Sequence, residues 1–421
     1  MLKNSTNWAG NYVYGAAQIH RPKTIEQLQE HVNQSSKLKA LGTRHSFNDI
    51  ADSAGDLISL EHFNKILDLD RKNHTVTVEA GVRYGELGGW LHERGYALHN
   101  LASLPHISIA GACATGTHGS GDQHGNLATA VGSVEMVTAD GEIILLSREQ
   151  HPEHFYGAVV GLGGLGVVTK LTLDISPTFE MRQDVYENLP FAELKDHFDE
   201  LSSSAYSVSL FTDWRNATFN QLWLKNNVTM ESAFNLQPTL FRATLAKSHL
   251  HPIPNLSAEN CTEQMGMAGP WHERMPHFRM DFTPSSGQEL QSEYLIPRQH
   301  AFVAFQAIDQ LREHIAPLLQ ISEVRTIAAD NLWMSPCYHQ DSIGIHFTWK
   351  QDWPAVSQLL PRIEDALAPF NARPHWGKLF TMDPKHLQSL YEKVSEFQEL
   401  LRHYDPQGKF RNTFLDKYIF G

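Results

Sequence analysis

Residues 102–121 read ASLPHISIAGACATGTHGSG, a run dominated by Gly, Ala, Ser and Thr. Small side chains let a backbone lie against a large flat ligand and leave N–H groups free to cradle phosphates. A close-packed turn or a buried helix of small residues would read the same way, so the run alone does not decide. Its neighbours do. Upstream, residues 41–47 read LGTRHSF, where Gly42 follows a strand-like segment and one histidine, His45, sits in the turn; such turns hold phosphate on backbone N–H groups. Downstream, residues 161–166 read GLGGLG. Three loops of like chemistry in one region favour a bound flavin.

GLGGLG also fits the G-x-G-x-x-G pattern of nicotinamide enzymes. That fingerprint needs a helix after it, so that the pyrophosphate meets a helix N-terminus. Here VVTKLTLDI (167–175) follows, which alternates as a half-buried strand and ends at Pro177. The reading is a tight packed loop.

Around these loops the first 175 residues mix short strands (38–41, 57–60, 75–79) with a helix at 83–94, and residues 134–138 and 142–146 flank Asp140-Gly141 as a hairpin. After Pro177 longer alternating strands appear at 205–211, 221–224 and 343–349, with amphipathic helices near 299–318 and 353–368. A helical stretch at 386–404 precedes DPQGKFRNTF. The expected class is α+β with two domains, because 421 residues exceed the roughly 250–300 that one core serves.

Composition narrows the partners. With 41% hydrophobic and 19% charged residues the chain is globular throughout. A formal charge of −13 without basic runs excludes nucleic acid and suits a neutral substrate. Cys113, Cys261 and Cys337 are odd in number and widely spaced, which indicates neither a disulfide framework nor zinc. No histidine among the 24 lies in H-E-x-x-H. Without a signal-like or spanning apolar run, a cytoplasmic and membrane-free protein is expected; a monomer is expected as well.

The segments LGTRHSFNDI, ASLPHISIAGACATGTHGSG, NCTEQ, GPWHER, EVRTIAAD, HFTW and RPHWGK resemble, in order and spacing, the bacterial alditol oxidases of the vanillyl-alcohol oxidase and p-cresol methylhydroxylase superfamily, close to the aldonolactone oxidases. The resemblance runs from Asn7 almost to the C-terminus. It implies an FAD-binding domain (1–180), a substrate domain with an antiparallel sheet and flanking helices (181–380), and a C-terminal segment returning to the first domain (381–421). It implies FAD contacts from Leu41, Gly42, Thr43, Arg44, His45, Ser46 and Phe47; from Ser103, Ser108, Gly111, Ala112, Ala114, Thr115, Gly116, Thr117 and His118; and from Gly166, Val167, Val168 and His375. His45 would bond covalently to the flavin 8α-methyl, and fixing the ring should raise its electron affinity. The family commonly has Gly where this chain has Arg44. A positive φ there would strain arginine; a negative φ would place its guanidinium near a flavin phosphate, and non-covalent FAD stays open as the alternative.

The same resemblance implies oxidation of the terminal primary alcohol of alditols such as xylitol and sorbitol, with hydride passing from C1 to flavin N5 and oxygen reduced to hydrogen peroxide. Arg325 and Lys378 would bracket the reacting oxygen, and Ser103, Glu323 and Thr348 would bind the other hydroxyls. Alternation puts Glu323 and Arg325 on one strand face, and His346 and Thr348 on another. Lys378 or His346 would take the proton. Ala102, at the expected flavin edge, leaves a dehydrogenase with another acceptor as a rival, as are an aldonolactone oxidase and a flavin-carrying sensor without turnover.

Overall fold

The computed structural model describes residues 6–228, 237–282 and 288–421; the first five residues of the N-terminal reading lie outside it. The chain opens with a three-stranded parallel sheet, ordered Gln18–His20, Asp56–Ser59, Leu38–Leu41. A helix, Ile25–Gln34, links the first and last of these. Thr24 caps it by accepting the Gln27 N–H, and it buries Leu28 and Val32. LGTRHSF therefore leaves the C-terminal end of a parallel strand, where ligand loops gather in such arrangements.

The second sheet is antiparallel, ordered Ile66–Asp70, Thr75–Glu79, Val167–Asp174, Val131–Val137, Ile143–Ser147. The expected hairpin forms, but only Gly141 of the turn is left-handed, at φ 82°. The expected helix forms as Tyr84–His92 and stops before Gly95 at φ 84°. The small-residue run makes one short helix, Ile109–Ala114, inside otherwise irregular chain.

A ten-stranded sheet holds the middle of the chain. Its long strands run Glu180–Pro190, Thr218–Asn227, Ser207–Thr212, Leu319–Ile327, Ser342–Lys350, Glu289–Pro297 in spatial order, all antiparallel. Helices Ala301–Asp309 and Trp353–Leu367 pack together beside it; Asp352 caps the second, which buries Val356, Leu359, Leu360, Ile363 and Leu367. Two expected helices are broken. Residues 299–318 divide into Ala301–Asp309 and Arg312–Ile315, and 386–404 into Pro384–Ser389 and Val394–Tyr404.

The tail returns to the N-terminal sheets. Asn412 donates its amide to the carbonyls of Asp49, Ile50 and Asp52, and Leu38 N–H donates to Lys409 O at 2.9 Å. Among the described residues no helix is long and apolar enough to cross a membrane.

Candidate active site

One cavity joins the small sheets to the large one. At one end it is lined by Lys39 to Phe47, Ala102, Ser103, Ser108, Gly111, Ala112, Ala114, Thr115, Thr117 and His118; at the other by Glu293, Glu323, Arg325, His346, Thr348, His375 and Lys378. Of the residues expected there, Gly116, Gly166, Val167 and Val168 are not on its wall. Gly116 turns the chain at φ 64°, and Val167 is buried in the second sheet. Leu162 and Gly163, both left-handed at φ 51° and 64°, line it in place of the Gly166–Val168 corner. Gly42 is required by closeness: a Cβ there would come 2.7 Å from Ser108 Oγ.

Arg44 sits at φ 63°, so the positive-φ alternative is the one realised. Its carbonyl accepts from Trp8 N–H at 2.8 Å. The His45 ring stacks on Trp8 (centroids 5.3 Å apart, 22° between planes), and its Nδ1 lies 3.0 Å from Thr43 Oγ1. Burial, with His106, Arg83 and Arg44 adding to it, pushes its pKa down to about 4, so the imidazole is neutral. Together the appressed glycine and serine loops and a neutral ring nitrogen on the wall fit a bound flavin nucleotide.

The far end is built by register. Glu323, His346 and Glu293 are direct cross-strand neighbours on three adjacent strands, forming one row. The two polar strands are thus hydrogen-bonded side by side in one sheet. Glu293 is the residue the sequence reading missed. Its Oε1 lies 3.1 Å from Arg325 Nη2 and 3.3 Å from His118 Nε2; Lys378 Nζ donates to Oε2 at 2.5 Å. Gly344 leaves the room, since a Cβ would stand 3.1 Å from Glu293 Oε1. Burial alone would raise the Glu293 carboxyl, but Lys378, His118 and Arg325 outweigh it and hold it well below the usual carboxylate range.

Lys378 also donates to His346 Nδ1 at 2.8 Å, and His346 Nε2 lies 3.0 Å from Thr348 Oγ1. Burial and the Lys378 charge push His346 down to about 4, so Nδ1 acts as acceptor and the ring proton sits on Nε2. Arg325 Nη1 donates to Ser103 Oγ at 3.3 Å. Burial lowers Lys378 from its ordinary value, against the raising effect of Glu293. The RPHWGK segment brings Lys378 in: His375 N–H donates to Glu293 O (3.0 Å), Leu379 N–H to Gln291 O (2.8 Å), and Gly377 O accepts from Phe47 N–H (2.8 Å). One turn thereby ties LGTRHSF to the large sheet.

Residues 16–147 match the model of an FAD binding domain, and residues 282–418 that of D-arabinono-1,4-lactone oxidase. An alditol oxidase from a Streptomyces species is 48% identical over 99% of both chains. The chain belongs to the alditol oxidase family. It is an FAD-binding oxidoreductase, and the family has more distant relatives in L-gulonolactone oxidase from Mus musculus (26% identical over 98% of both chains) and L-gulono-1,4-lactone dehydrogenase from Mycobacterium tuberculosis (28%, 98% of both). Cholesterol oxidase from Brevibacterium sterolicum shares the fold, with a TM-score of 0.80 over 99% of this chain and 96% of that one at 15% identity.

Proposed function

We propose that the protein oxidises the terminal primary alcohol of alditols such as xylitol and sorbitol to the aldose, with oxygen reduced to hydrogen peroxide. The observation that carries this is the Arg325–Glu293–Lys378 cluster, buried at one end of a cavity whose other end holds LGTRHSF. In this reading residues 1–180 and 381–421 bind FAD and residues 181–380 form the substrate domain. FAD supplies the two-electron acceptor that takes hydride from the substrate carbon and yields the electrons to oxygen.

The chain's own residues do the rest. Arg325 and Lys378 hold the reacting oxygen and stabilise negative charge as it develops there. Glu293 neutralises both without touching substrate, so that two cations can share a dry site. The hydroxyl proton leaves through Lys378 toward His346 Nδ1, the neutral acceptor it already bonds. Ser103, Glu323 and Thr348 take the remaining hydroxyls, and an analogue lacking them would leave these polar groups unpaired.

We propose that FAD is bonded to His45. Thr43 Oγ1 accepts Ser108 N–H at 3.1 Å and has a second lone pair for His45 Nδ1–H, which leaves the Nε2 lone pair to bond the flavin 8α carbon; one methyl hydrogen and the Nδ1 hydrogen would be lost, with the two electrons passing to oxygen as hydrogen peroxide. Acid precipitation of wild type and His45→Ala tests this: colour stays with the first polypeptide and leaves the second. Colour freed from both would make the flavin non-covalent. An aldonolactone oxidase or dehydrogenase is the second reading, favoured by the match over residues 282–418. Oxygen uptake with xylitol or sorbitol against L-gulono-1,4-lactone separates them; kcat/KM at least about tenfold higher for the alditol is expected, and the reverse order would support the lactone reading.

A further inference from the structure

Two segments singled out in the sequence, NCTEQ (260–264) and GPWHER (269–274), contribute no residue to the roles assigned above. Both lead to one strand of chain, residues 275–278. Thr262 donates its hydroxyl to Pro276 O at 2.7 Å and its N–H to His277 O at 2.9 Å, and Arg279 N–H reaches Asn260 O at 3.0 Å. This brace presents His277, which is 5% exposed, to the back of Glu323.

Behind His277 stands Lys225, on the Thr218–Asn227 strand and 1% exposed. Its ammonium donates to Met275 O (2.5 Å), Pro276 O (2.9 Å) and His277 Nδ1 (3.1 Å). Three acceptors meet three N–H protons, which is the arrangement a buried ammonium needs. Because Nδ1 accepts, the ring proton lies on Nε2, 2.7 Å from Glu323 Oε1. Burial pushes His277 down to about 4, in keeping with a neutral ring. Glu323 Oε1 also faces Arg325 Nε at 3.5 Å. Among the described residues nothing hydrogen-bonds Oε2. The same brace holds the neighbouring serine, since His277 and Phe278 N–H both donate to Ser103 O, at 3.1 and 3.3 Å.

We propose that Lys225 and His277 are positioning residues that lock Glu323 as an anionic acceptor, with Oε1 tied back and Oε2 turned to a substrate hydroxyl. The inference rests on the alditol reading above for the role of Glu323. It makes His277 a fixed hydrogen-bond donor rather than a proton carrier, because a lysine already occupies its only lone pair. It also explains why a carboxylate lies beside the cationic pair without collapsing onto Arg325 as a two-oxygen ion pair, which would commit a lone pair of each oxygen to the guanidinium and turn both away from substrate.

The test is steady-state oxygen uptake with xylitol by the flavin-loaded full chain, for wild type, His277→Leu, His277→Gln and Lys225→Met. His277→Leu is expected to raise KM about 10- to 100-fold, the worth of a hydrogen bond to a charged group, with kcat falling less than about threefold. Gln carries an amide donor and an amide acceptor, so His277→Gln should recover most of that loss, and Lys225→Met should raise KM at least about fivefold. A KM within about twofold of wild type for His277→Leu or Lys225→Met, or a Gln variant as impaired as the Leu variant, would overturn the proposal. If His277→Leu does not fold with its flavin, the Lys225→Met and His277→Gln results decide by the same limits. Wild type inert toward xylitol but active on the lactone would instead overturn the alditol reading, and the variant-to-wild-type KM ratios would then be read on the lactone.

Discussion

The two ends of the cavity are built on opposite principles. The end that carries LGTRHSF is made of backbone: close-packed glycines, a left-handed Arg44 and a histidine kept neutral by burial. The end on the large sheet is made of charge: Glu293, Arg325 and Glu323 are buried, Lys378 is partly buried, and each lies within hydrogen-bonding or ion-pairing distance of another of the four. Backbone cradles tolerate side-chain exchange wherever the Cβ points away, whereas a buried ionic cluster fails when any one member is removed. The first end should therefore be forgiving and the second brittle.

The strongest break of that contrast is Glu293→Gln. It removes the negative partner of two buried cations while keeping the shape, and is expected to cost about 3–5 kcal/mol of stability by urea denaturation, along with most of the activity. Survival with wild-type stability and turnover would mean that Arg325 and Lys378 are held by something else. Next is Lys378→Met, expected to lower kcat about 10²- to 10³-fold by stopped-flow flavin reduction, as loss of one donor to the developing charge does elsewhere. A comparable loss in KM with kcat intact would move Lys378 from chemistry to binding.

Acid separates the ends less sharply, because each holds a suppressed histidine. His45, His277 and His346 have folded values near 4 against 6.5 for the free side chain. The unfolded chain therefore binds more protons than the folded one between those values, so stability rises with pH across that window. The contribution is complete above about pH 6.5 and is lost progressively as pH falls toward 4. Thermal unfolding followed from pH 7 to 4.5 should show a falling midpoint; a flat profile would mean that these rings are protonated in the native state. The smallest effect is expected at Arg44. Replacing a left-handed arginine with glycine relieves about 1–2 kcal/mol of steric strain but adds unfolded-state entropy of similar size. Arg44→Gly should shift stability by less than about 1 kcal/mol, whereas Arg44→Val, β-branched at φ 63°, should lose more than that.

What the sequence disclosed follows the same divide. A glycine or a small-residue run is a local constraint, and it was readable at Gly42, in residues 108–115 and in the strand after GLGGLG. Gly166 and Val168 line a smaller cavity that shares Ala114 and Gly163 with the large one. Glu293 was invisible for the contrary reason. In ELQSEYLIP, Glu289, Gln291 and Glu293 alternate like the wet face of an edge strand, and only pairing with the Ser342–Lys350 strand turns that face inward against Arg325. His277 was hidden likewise, one histidine among 24 whose partners stand 46 and 52 positions away in the chain. The helix break between Asp309 and Arg312 had no Pro or Gly to announce it.

The central claim is that Arg325 and Lys378 activate an alditol for oxidation by FAD held on LGTRHSF. Mixing the purified protein with xylitol under anaerobic conditions tests it most directly. The account predicts that the yellow absorbance bleaches fully, that it returns on admitting air with about one hydrogen peroxide formed per flavin, and that Lys378→Met bleaches at least about a hundredfold more slowly. A wild-type spectrum unmoved by xylitol or sorbitol at concentrations that saturate binding would contradict it.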